Sequence, residues 1–401
     1  MEGVEYRHIR EDEVEAFYLL SSYAFAYPPS PAGLERSRTL ITPDSAWGAF
    51  ADGELVAKVN VIPFQMRLNG SALPLGGIGG VGCYPEQRRR GHVGRLLRLA
   101  LAEMRDRGQP LSALYPTFYA LYRRYGWELA AEVRRYKVDA ADLHPAHTGD
   151  ASGQVRRCGA DDWAALHDVY TRATTRANGP IERHEQWWRQ RVLSDPFGGD
   201  PMAALWSDDG GRPQAYVLYR LTALEHFGQR CEVRELVAAT PQGYVQILRF
   251  LAAHDLVREL RWQAPADDPL LSVIADPSRC ETRVHGSYML RVVDAARAVE
   301  QRPFDPEMRA SLALRIVDPT CDWNDGVWRL EVAEGRGTLT RSRDEPVATL
   351  GAPALAALYN GYRTAWDWYN CGRIEATDRG ALTALTRAFS AEHAPHCYDF
   401  Y

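Results

Sequence analysis

From Val93 to Met104 the chain places Val93, Leu96, Leu97, Ala100, Leu101 and Met104 at i, i+3, i+4, i+7, i+8 and i+11. That spacing predicts an amphipathic helix with one buried face. Upstream the period changes to two. The runs SAWGAF, ELVAKVNVIPFQMRL and a glycine-rich stretch ending at Cys83 are separated by Ala51-Asp52-Gly53 and Asn69-Gly70. Asp-Gly and Asn-Gly between such runs signal tight hairpins, so an antiparallel meander is predicted. A strand over residues 3–9 and a helix from Asp12 to about Tyr27, ended by the proline-broken stretch YAFAYPPSP, precede the meander. After the helix come a short strand LSALYP, a helix around Phe118 to Tyr125, and a hairpin near Glu128 to Val138.

A similar order returns after the polar linker HPAHTGDASG. RRCGADDWAALHDVYTRAT reads as a helical run, MAALWSD and QAYVLYRLTAL as a hairpin, and CEVRELVAA as a third strand. Thr240 then caps a helix with Pro241 at its first position, and ELRWQA returns as a strand. The last segment differs, with a helix near Ala295 to Glu300, strands ASLALRIVD, GVWRLEVAE and GTLTRSR, and helices ALAALYN and ALTALTRAF. The pattern divides the chain into residues 1–142, 150–292 and 293–401: a mixed α/β unit, a second copy of it, and an α+β unit.

Length supports the division, because 401 residues exceed what one ordinary core serves. Hydrophobic content of 46% with 25% charged residues describes a folded chain and excludes a disordered one. A formal charge of -5 and the lack of aromatics among the basic residues argue against a nucleic-acid partner. No apolar run approaches the roughly 20 residues of a membrane helix, and the acidic N-terminal stretch has no signal-like core, so a cytoplasmic protein is expected. Seven scattered cysteines lack any C-x-x-C pair and read as reduced thiols.

Charge matters most at one place. Arg88-Arg89-Arg90-Gly91 immediately precedes the amphipathic helix, where the helix dipole is already positive and cations are disfavoured. An anion such as a pyrophosphate would reverse the sign of that interaction, drawing on the free N–H groups of the first turn and the guanidinium forks together. A solvated basic patch is the alternative. Position favours the anion, since the run links a meander's last strand to an amphipathic helix.

Arg88-Arg89-Arg90-Gly91-His92-Val93-Gly94 resembles the R/Q-x-x-G-x-G/A motif of GNAT acetyltransferases, with Val93 at the sixth position and Gly94 directly after it. Together with LYRRYGWE, LYNGYRTA and an aromatic chain end, PEQRRRG makes the whole chain similar to the enhanced intracellular survival (Eis) family of acetyltransferases. The resemblance implies two tandem GNAT-like domains, the second degenerate, followed by a sterol-carrier-protein-like α+β domain. It implies acetyl-CoA as co-substrate, no metal, a small-molecule or lysine amine as acceptor, no nucleic-acid or membrane partner, and a homo-hexamer.

By the same resemblance Tyr122 is the acid that protonates the leaving thiolate and the carboxylate of Tyr401 is the base. Val81, Gly82 and Cys83 present strand amides to the thioester; Arg88, Arg89, Arg90, Gly91, His92, Val93 and Gly94 hold the pyrophosphate; Thr117 lies near the cofactor. Phe25, Tyr27 and Trp47, with Phe400 in the tail, are expected to wall a negative, aromatic acceptor cleft suited to aminoglycosides, polyamines, small biosynthetic amines or protein lysines. Tyr122 and Tyr125 also fit a pair of packing aromatics at i, i+3.

Two other motifs are set aside. Gly77-x-Gly79-x-x-Gly82 matches a dinucleotide fingerprint, but Cys83-Tyr84-Pro85 follows where a helix would have to begin. His393-x-x-His396-Cys397 is interrupted by Pro395 and reads as packing. The competing reading of the whole chain is a non-catalytic acyl-CoA-binding or scaffolding protein whose third domain takes an apolar ligand.

Overall fold

The computed structural model describes residues 3–146, 152–195 and 199–401. Part of the polar linker, with the expected start of the second unit at residue 150, lies outside the described residues. Strands β1 (Val4–His8), β2 (Ala46–Ala51), β3 (Glu54–Leu68) and β4 (Ser71–Cys83) form the expected meander. Its two tight turns use Asp52-Gly53 and Asn69-Gly70, all four residues at positive φ. Helix α1 (Val14–Phe25) follows β1, and α2 (Pro31–Leu40) follows α1. The second helix was not anticipated, although Ser30 caps it by accepting from the Gly33 N–H with Pro31 at the first position.

Helix α3 (His92–Asp106) buries Leu96, Leu97, Ala100, Leu101 and Met104 as its spacing predicts. It leads to β5 (Leu111–Leu114), parallel to β4, and the short α4 (Tyr119–Arg123). The expected hairpin near Glu128 to Val138 is not formed. β6 (Glu128–Leu129) stays with the first sheet, while β7 (Glu132–Asp139) joins the second. Ala130 and Ala131 between them are fully buried and include no turn former, so the chain crosses from one sheet to the next instead of reversing.

The second sheet holds β8 (Gln154–Cys158), β9 (Met202–Ser207), β10 (Pro213–Ala223), β11 (Gln229–Ala238), β12 (Val257–Pro265) and β13 (Glu281–Gly286). Its order is β13-β7-β12-β11-β10-β9-β8. The run expected to be wholly helical is a strand through Cys158 before α5 (Trp163–Thr174) begins. After it come α6 (Glu185–Trp187), continued by a π turn over Trp188–Val192, and α7 (Pro241–Ala252), capped by Thr240. β14 (Met289–Val292) returns to the first sheet and sits between β5 and β6. Each of the two GNAT-like sheets therefore contains a strand from the other's stretch of chain. One apolar core runs from β3 and β4 through α5 and β10 into the third unit. There a five-stranded sheet packs Leu314, Ile316, Leu330 and Leu339 against helices that include Ala352–Tyr359 and Arg379–Ala388.

Candidate active site

β4 and β5 pair only from Leu75 with Leu111 to Ile78 with Leu114. β4 then continues along β3 to Cys83, which leaves one edge of Gly79 to Cys83 without a strand partner. Between Lys58 and Asn60 the register slips, so Gly80 and Val81 form a bulge. Bulges re-aim the backbone at such openings. Gly82 packs against Leu20 and Ala24 of α1, and Cys83 is half-buried, with burial pushing its thiol pKa up.

Beyond Cys83 a single tight turn leads to the arginines, where Arg89 and Gly91 take positive φ of 62° and 82°. A β-carbon on Gly91 would meet nothing within 4 Å, so glycine serves the dihedral there, not a need for space. α3 starts with no side-chain cap, so its first N–H groups have no protein acceptor. Arg88, Arg89 and Arg90 are exposed. Arg88 Nε donates to the Cys83 carbonyl at 3.2 Å, and among the described residues none of the three pairs with a carboxylate. Exposed guanidiniums around an uncapped helix start fit a diphosphate, as coenzyme A carries. His92 differs from its neighbours. It is buried, its Nδ1 lies 2.8 Å from the Tyr6 hydroxyl, and burial followed by the field of Arg90 lowers its pKa. Only its backbone faces the loop's chemistry. Val93 is half-buried, and Gly94 has a packing role, because a β-carbon there would collide with the Tyr125 hydroxyl.

Tyr122 lies in the core under α3, 6% exposed, with its ring 6.4 Å from that of Trp127. Burial pushes its pKa up to about 12, so the phenol holds its proton at neutral pH. Among the described residues its hydroxyl has no hydrogen-bond partner. Thr117 is exposed, just past the end of β5.

The tail enters from the second unit and is fixed by buried charge. Arg183 Nε donates to both oxygens of Asp399 at 3.0 Å, and its Nη1 and Nη2 donate to Glu235 at 2.8 and 2.7 Å. Trp187 Nε1 adds a bond to Asp399 at 2.7 Å, and the guanidinium stacks 4.1 Å from the Tyr170 ring centroid. Burial pushes Asp399 up against the pull of Arg183; in Glu235 burial is the largest single influence, but Arg183, the Tyr216 hydroxyl and Arg234 together outweigh it and the pKa falls. Asp399 is thus committed to Arg183 and supplies no negative charge to an acceptor.

From this anchor the chain reaches β4. The Tyr401 ring lies 4.7 Å from Phe64 and 5.6 Å from Tyr115, centroid to centroid. Its carboxyl carbon is 3.7 Å from where a β-carbon on Gly79 would stand. The carboxylate therefore reaches the point where β4 and β5 part, and among the described residues it forms no ion pair.

The expected acceptor wall is only partly assembled. Phe25 ends α1 and Tyr27 follows it, its ring 6.1 Å from that of Tyr18; Phe400 is 77% exposed beside Tyr115. Trp47 is apart from them, donating to Glu103 on α3 at 2.7 Å and stacked on His8. Sequence reasoning missed Arg183, which lies 216 residues from Asp399, and it missed Lys58. Lys58 is fully buried, bonded to the Ser21 hydroxyl and 3.7 Å above the Phe17 ring, and burial drives its pKa well below the usual value. A lysine inside the apolar run ELVAKVNV was the available signal. One apolar cavity in the third unit, lined by Leu314, Leu330, Leu355 and Phe389 among others, is about 10 Å³, no more than the room of a single water.

Comparison with known proteins agrees with this architecture. An acetyltransferase (GNAT) domain matches residues 5–130, a second acetyltransferase (GNAT) domain matches 179–292, and a sterol carrier protein domain matches 295–398. An uncharacterized N-acetyltransferase of Streptomyces avermitilis is 29% identical, with 97% of each chain covered. The N-acetyltransferase Eis of Mycobacterium tuberculosis is 25% identical, over 95% of this chain and 96% of its own. The crystal structure of a GCN5-related N-acetyltransferase from Kribbella flavida superposes with a TM-score of 0.84 at 27% identity, covering 99% of this chain and 100% of that one. The domain matches and these relatives define an acetyltransferase of the GNAT class, which implies acetyl-CoA as donor and an amine as acceptor. Over 95% of its length the chain is similar to the N-acetyltransferase Eis.

Proposed function

We propose that the opening between β4 and β5 is the site of acetyl transfer by direct attack in a ternary complex. The observation that carries the reading is the Tyr401 carboxyl group beside Gly79, where the two strands separate. Arg88, Arg89, Arg90 and the first N–H groups of α3 bind the cofactor's diphosphate, and the unpaired edge from Val81 to Cys83 binds its arm and polarises the carbonyl. Bound acetyl-CoA supplies the thioester. The amine gives up a proton towards the Tyr401 carboxylate, an N–C bond forms as the C–S bond breaks, and Tyr122 donates its proton to the departing sulfur. A terminal carboxylate with a reference pKa of about 3.5 is a weak base for an ammonium, so a water relays the proton.

Tyr122→Phe is expected to lower kcat at least tenfold while acetyl-CoA still binds and the melting temperature holds. Unchanged turnover of that variant would remove Tyr122 from the reaction. The working division into residues 1–142, 150–292 and 293–401, a homo-hexameric assembly and a cytoplasmic location complete the proposal. Sedimentation of the purified protein at the mass of six chains tests the assembly.

A further inference from the structure

Across the tail from the transfer opening is a cleft of about 930 Å³, walled by Phe400, Tyr401 and one face of the second sheet. Seven of its described lining side chains are cationic and three are acidic, an excess of four positive charges that the Tyr401 terminal carboxylate reduces to three. This is the opposite of the negative acceptor cleft expected from sequence. The cations are also arranged against themselves. Arg135 on β7 stands directly opposite Arg283 on β13, and Lys137 directly opposite Arg261 on β12. Like charges directly opposed across strands destabilise a sheet. Glu259 relieves one pair, at 3.3 Å from Lys137 and 2.6 Å from Arg261, and Glu281 pairs with Arg283. Among the described residues Arg135 and Arg234 have no carboxylate partner. An anion in the cleft would supply one.

We infer that the acceptor amine carries an anionic group, a carboxylate or a phosphate, held by this cleft while its amine reaches the Tyr401 carboxylate. The inference rests on the transfer site proposed above, and Tyr401 joins the two, since it lines the cleft while its carboxyl group lies beside Gly79. A concave surface of one sign concentrates ligands of the other and turns away polycations. It also disfavours the ammonium form of a bound amine, which offsets the weakness of a terminal carboxylate as base.

The test uses the full chain, acetyl-CoA and matched amines followed by thiol release: ethanolamine against O-phosphoethanolamine, tyramine against tyrosine, putrescine against ornithine. The partner bearing the carboxylate or phosphate is expected to have at least a tenfold higher kcat/KM in each pair. Arg135→Glu, at an exposed position, is expected to raise KM for the acid-bearing partner about tenfold with kcat retained, and to leave KM for the other partner the same or lower; Lys137→Glu repeats the test. Preference for the partner without the acid group, or a variant indistinguishable from wild type, overturns the inference. Should no amine turn over, calorimetric titration with O-phosphoethanolamine separates the two ideas. Binding that is lost in Arg135→Glu supports the cleft and places the failure in the transfer reading, whereas no binding to the wild type overturns the cleft itself.

Discussion

The two GNAT-like sheets present the same corner in opposite states. In the first, α3 begins at Gly91 with no side-chain cap, three exposed arginines precede it, and β4 leaves an edge unpaired from Gly79 onward. In the second, α7 begins with Thr240 accepting from the Gly243 N–H, and Pro241 removes another free donor. β11 and β12 also part, after Val233 and Trp262, but the protein's own tail fills that end. The Ala394 N–H donates to Asp267 just past β12, and Asp399 shares Arg183 with Glu235 on β11. One corner leaves its donors for a ligand; the other satisfies them internally, and the residues that close the second deliver Tyr401 to the first. The second corner, without arginines, holds the tail.

Breaking that holder should have the largest effect. Arg183→Leu leaves Asp399 and Glu235 buried without a counter-charge, which costs about 3–5 kcal/mol in comparable buried pairs. The melting temperature should fall and the tail should become protease-sensitive, with turnover lost in parallel. Lowering pH strains another buried group of the same tail. His396 is buried with Nδ1 unpartnered, and burial lowers its pKa to about 4. Between about pH 6.5 and 4 the unfolded chain therefore holds a proton that the native state refuses, so stability rises with pH across that window. At 1.36 kcal/mol per pH unit the loss on acidification reaches roughly 3 kcal/mol, and thermal melts of His396→Leu should show a flatter profile than wild type. A matched pair of cap variants gives the smallest effect. Gly91→Ala imposes a left-handed alanine at about 1–2 kcal/mol and should also raise KM for acetyl-CoA. Thr240→Ala costs about 1 kcal/mol and should leave that KM alone. Equal KM effects from the two would erase the distinction between the corners.

Much of this was legible along the chain. The α3 face, the Asp52-Gly53 and Asn69-Gly70 hairpins, the Thr240-Pro241 cap and the arginine loop are local signals, set by residues within a turn or two of each other. The strand exchange left no such trace. β14 pairs with β5 across some 175 residues of chain, and Ala130-Ala131 differs from a hairpin only by what buries it. Ser30-Pro31 was readable as a helix start but lay within a stretch taken as a terminator. Trp47 looked like a pocket aromatic and was drawn instead to Glu103 and His8, because composition does not say which face of a sheet a side chain serves.

By itself, then, the chain determined its three-part order, its helix periods and the arginine-rich loop before α3, since each follows from neighbours in sequence. Tertiary structure alone decided which sheet each crossing strand joins, that Asp399 belongs to Arg183, and that Arg135, Lys137, Arg261 and Arg283 share one cleft. Those outcomes depend on burial and on charges brought together from distant segments. Neither exists until the sheets have closed on each other.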